Sequence, residues 1–79
     1  MASQKLPILP ARKIIKVLKK EGFVEYPVKR GRHRKFKKMV GNKVFVVIVP
    51  DNNEKIGKGL LLAIIDQAGY SKESFLDLI

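Results

Sequence analysis

The chain has 79 residues, no cysteine, and 17 Lys and Arg against seven Asp and Glu, a net charge of +10. That length makes one domain, residues 1–79, around one small core that buries ~60% of the unfolded chain's surface. The missing cysteines exclude a disulfide framework and a Cys-based metal site. The longest apolar runs, Val44–Val49 and Leu60–Ile65, have six residues each, far short of the ~20 that a membrane helix needs. No apolar stretch opens the chain as in a signal peptide, which points to the cytoplasm and away from membranes. The charge is polarised: residues 1–43 carry 14 of the 17 cations and only Glu21 and Glu25 as acids. A basic half of this kind is the electrostatic footprint of a nucleic-acid binder.

Leu6-Pro7-Ile8-Leu9-Pro10 is an extended lead-in, and Pro10 suits the first turn of a helix. From 11 to 21, Ala11, Ile14, Ile15, Val17 and Leu18 share one helical arc while Arg12, Lys13, Lys16, Lys19 and Lys20 fill the opposite one. Gly22 is the expected residue just past the helix end. Phe23–Val28 reads as a strand that Pro27 confines to a sheet edge. The chain turns through Gly31, and His33–Val40 forms a second strand. It puts His33, Lys35, Lys37 and Met39 on one face and Arg34, Phe36, Lys38 and Val40 on the other. Gly41-Asn42 is a two-residue hairpin signal. Val44–Val49 is a third strand, apolar on both faces, and residues 50–54 are a loop.

A second helix runs from Lys58 or Gly59 to Ala68 and ends at Gly69, with Leu61, Ile64, Ile65 and Ala68 as its core stripe and Leu60 beside it. Ser71 caps a short terminal helix carrying Phe75, Leu76, Leu78 and Ile79. The order α-β-β-β-α(-α) gives an α+β fold with two helices packed on one face of a three-stranded antiparallel sheet, as in double-stranded-RNA-binding domains.

Chemistry concentrates in residues 29–38. Lys29, Arg30, Arg32, Arg34, Lys35, Lys37 and Lys38 surround the chain's single histidine, His33, two residues after Gly31. Burying such a run unpaired costs several kcal/mol per charge, so it faces water or a polyanion. Asp51 and Glu54 are read as solvated turn residues, and no metal or cofactor is expected. What fits is base-assisted RNA scission. A neutral imidazole takes the 2′-OH proton, the oxygen attacks the adjacent phosphorus, and cations stabilise the added charge. Candidate RNA contacts are Lys29, Arg30, Gly31, Arg32, Arg34, Lys35 and Lys37, then Arg12, Lys16 and Lys19 of the first helix. Lys55 and Lys58 join them at the start of the second, where free N–H groups favour phosphate.

Taken in order, the residues resemble HicA-type toxins. The likeness runs through Leu6-Pro7 before a helix, Leu18 leading into Glu21-Gly22-Phe23, Gly31-x-His33 entering the second strand, and Val49-Pro50 closing the third. It continues through Lys58-Gly59-x-Leu61-x-x-Ile64 and Gln67-Ala68-Gly69 to a Ser71-led tail. It implies a double-stranded-RNA-binding-like fold, mRNA cleavage, a HicB-type antitoxin as partner and His33 as the catalytic residue. Arg32 stands where the family usually has serine, Arg34 where it often has histidine, and Asp51-Asn52 where many members have a second histidine.

Two readings follow: a metal-independent endoribonuclease of a toxin–antitoxin pair, or a non-catalytic double-stranded RNA-binding module of the same fold. The apolar surface also exceeds what one core uses. The third strand carries Val44, Val46 and Ile48 on one face and Phe45, Val47 and Val49 on the other, helices on one side cover only one of them, and Leu62 turns away from its stripe. This surplus suits an antitoxin or a second copy, the free chain being a monomer or weak homodimer.

Overall fold

The computed structural model describes residues 8–26, 33–50 and 55–79. The elements in chain order are β1 (Leu9–Pro10), α1 (Ala11–Lys20), β2 (Val24–Tyr26), β3 (His33–Val40), β4 (Lys43–Pro50), β5 (Lys55–Ile56), α2 (Lys58–Ala68) and α3 (Lys72–Leu76). The antiparallel sheet β2-β3-β4 is as expected, and α1 and α2 cover one side of it. The short antiparallel pair β1-β5 is an addition that two-residue segments cannot announce by periodicity. Of the edge strand expected over Phe23–Val28, Val24–Tyr26 is present and residues 27–32 lie outside the described ones.

α1 follows from its stripe: Ala11, Ile14, Ile15, Val17 and Leu18 are all buried. Its end is a Schellman closure. Phe23 N–H donates to the Leu18 carbonyl at 2.9 Å and Gly22 N–H to that of Lys19 at 3.1 Å, with Gly22 at φ +96. The β3–β4 turn has positive φ at Gly41 alone, as a type II′ hairpin requires. α2 buries Leu61, Ile64, Ile65 and Ala68 and leaves Leu60 and Leu62 exposed. At α3, Ser71 Oγ accepts the Ser74 N–H at 3.1 Å in a capping box.

The core lies between sheet and helices. Phe36, Val47 and Val49 project from the sheet to meet Ile14, Leu18, Leu61, Ile64 and Phe75. Ile48 N–H, on the outer edge of β4, is met by Gln67 Oε1 of α2 at 3.1 Å, which satisfies one donor of an otherwise open edge. No helix among the described residues is long and apolar enough to cross a membrane.

Candidate RNA-facing site

Phe36 fixes the direction of every side chain on β3. It is fully buried, opposite Glu25 on β2 and Val47 on β4. A one-residue slip would exchange the two faces and drive His33, Lys35 and Lys37 inward. With Phe36 inward, His33, Lys35, Lys37 and Met39 point away from the helices. His33 opens the strand, exposed, paired with Pro50. Lys35 lies between Tyr26 and Ile48, and Lys37 between Val24 and Val46. This outer face therefore carries one imidazole, two ammonium groups, one phenol ring and a strip of valines. Among its described residues there is no acid.

Arg34 faces the other way. Its Nε and Nη2 donate to Glu25 Oε2 and Oε1, each at 2.6 Å, a bidentate pair on the helix side of the sheet. Lys19 Nζ approaches the same carboxylate at 3.6 Å. The Arg34 hydrogen bonds, opposed by burial, hold the Glu25 carboxyl below the usual glutamate range. Arg34 is thus held by Glu25, with the half-exposed Lys19 beside the same carboxylate, and neither shares His33's face. Sequence reasoning did not single out Glu25 or Tyr26. Cross-strand register is what couples them to β3, and it becomes readable only once Phe36 is placed.

The remaining cations divide by position. Lys55 pairs across β1-β5 with Pro10, two residues before Arg12, and Lys58 opens α2. Arg12, Lys55 and Lys58 are all exposed and gather around the β1-β5 pair and the start of α2. Lys16 is exposed on the solvent side of α1, away from the sheet. Lys29, Arg30, Gly31 and Arg32 lie outside the described residues.

The described residues bring no three His, Cys, Asp or Glu together as a metal site. An exposed imidazole beside ammonium groups can accept a proton from a bound polyanion while its charge is neutralised nearby. The family model described as the HicA toxin of bacterial toxin–antitoxin matches residues 11–70. The chain belongs to the HicA toxin family. The match takes in both helices of the core and the whole β2-β3-β4 sheet, His33 included, and stops before α3. No curated protein matches the chain. The family is one of toxins from toxin–antitoxin systems, and the fold and the family expected from the sequence agree.

Proposed function

We propose that this HicA-family toxin is an mRNA endoribonuclease in which His33 is the general base. The observation that carries the reading is the position of His33: exposed, at the start of β3, on a face shared with Lys35 and Lys37 that carries no acid among its described residues. The neutral imidazole takes the proton of a ribose 2′-OH. The 2′-oxygen attacks the adjacent phosphorus, the 5′-oxygen of the next nucleotide leaves, and that oxygen takes a proton from solvent. The products are a 2′,3′-cyclic phosphate and a 5′-hydroxyl end. Lys35 and Lys37 offset charge on the phosphates, and Arg12, Lys55 and Lys58, with Lys29, Arg30 and Arg32 just before His33 in sequence, are further candidate contacts. The nucleophile belongs to the substrate, so the step uses no metal-bound water, and DNA cannot supply it. A HicB-type antitoxin would neutralise the toxin in the cytoplasm.

His33→Ala is the test. An exposed strand-end side chain contributes little to stability, and the surrounding cations still hold RNA. Cleavage and growth arrest should fall by roughly two orders of magnitude or more, with binding retained and EDTA without effect on the wild type. A His33→Ala chain that degrades mRNA like the parent would remove the imidazole mechanism, and a wild-type chain that binds RNA without cutting it would leave the binding module in its place.

A further inference from the structure

We propose that Tyr26 is a stacking platform for an unpaired nucleobase, so that the toxin engages single-stranded RNA through the outer face of its sheet. The proposal rests on the reading of that face as RNA-binding and names what it grips. Tyr26 ends β2, an edge strand, and sits directly across from Lys35. Lys35 is two residues from His33, so the ring lies one strand over and roughly 7 Å along from the imidazole. At 45% exposure it is not part of the core, and a large ring left open on a sheet is the element on which bases stack in single-strand binders.

The ring is also held in place. Lys37 Nζ lies 4.8 Å from its centroid, a cation–π contact that restricts the side chain before any ligand arrives. The same ammonium stands ready to neutralise a phosphate beside the stacked base. Lys37 approaches from the Val24 row, the side of Tyr26 away from His33. A base laid against the ring would therefore bring its flanking phosphate toward the imidazole. The occupant follows from charge: the described outer face carries Lys35 and Lys37 and no acid, which complements a polyanion with flat apolar bases. It follows from topology too, because a duplex keeps its bases stacked on one another and offers no free face to a tyrosine.

The experiment uses the full chain carrying His33→Ala, which prevents cutting, and two probes: a single-stranded RNA oligonucleotide containing 2-aminopurine, and the same strand annealed to its complement. The single strand should bind with quenched 2-aminopurine fluorescence. Adding Tyr26→Ala should abolish the quench and weaken single-strand binding by roughly 5- to 150-fold, while duplex affinity stays unchanged. Tyr26→Phe, which keeps the ring, should restore both. Equal loss on single strand and duplex, or no loss on either, overturns the proposal. So does a Tyr26→Ala chain that keeps RNA binding but no longer captures a HicB-type antitoxin that the wild type binds, which would make the face a protein-docking surface. A wild-type chain that binds no RNA sinks the RNA reading and this proposal together. RNA binding indifferent to Tyr26 sinks this proposal alone.

Discussion

Glu25 and Tyr70 connect single side chains to measurable pH dependence. Arg34 grips Glu25 and keeps its folded value below the ordinary 4.5. A depressed carboxyl contributes stability that is present above its unfolded value and lost as pH falls through the folded one. Tyr70 behaves oppositely. Burial, reinforced by the hydrogen bond its hydroxyl donates to Glu21 Oε1 at 2.9 Å, pushes its phenol from 10.0 up to about 12. Above the unfolded value the free tyrosine ionises while the folded one stays protonated, so stability declines as pH rises from 10 toward 12. Chemical denaturation across pH should show both slopes. Glu25→Gln should flatten the acid limb and Tyr70→Phe the alkaline one. An alkaline limb unchanged in Tyr70→Phe would rule out the Tyr70 phenol as its source.

At the level of elements, the helices and the long hairpin were legible because each advertises itself locally. α1 has its apolar arc and Gly22, β3 and the continuous apolar run of β4 flank the Gly41-Asn42 turn, and α3 has Ser71. The β1-β5 pair and the Glu25–Arg34–Lys19 cluster were not, because each depends on residues brought together by register or long-range pairing. The candidate site divides along the same line. The parity of His33, Lys35 and Lys37 was readable from Phe36, whereas the diversion of Arg34 to Glu25 was not. The end of α2 shows how tightly the elements constrain one another. Gly69 has φ +81, and a Cβ there would lie 2.6 Å from Phe45 Cε1 and 3.0 Å from two further ring carbons. Gly41 has φ +59 but open space around it. Alanine at Gly41 should therefore cost about 1–2 kcal/mol of left-handed strain. Alanine at Gly69 should add overpacking of about 1–3 kcal/mol. Thermal unfolding of the two variants separates strain from collision, and equal losses would show that the Phe45 ring yields freely.

For the molecule as a whole, a charge of +10 means that any cation adds to long-range attraction for RNA, so affinity alone does not locate the interface. The two faces allow a controlled comparison. Lys35 and Lys37 project from the outer side of the sheet, and Lys13 and Lys16 from the solvent side of α1. Replacing either pair with glutamine removes the same net charge, yet only one pair lies on the strand that carries His33. Contact with single-stranded RNA releases counterions in proportion to the phosphates neutralised, with a log–log salt slope of about −0.7 for each. Three to five contacts thus give a wild-type slope of roughly −2 to −4. Lys35→Gln with Lys37→Gln should make that slope shallower by roughly 1.4 and slow cleavage. Lys13→Gln with Lys16→Gln should weaken binding modestly at low salt and leave the slope nearly unchanged. The converse result would place the RNA across α1, the mode expected of a duplex-binding domain, and would separate the binding surface from His33.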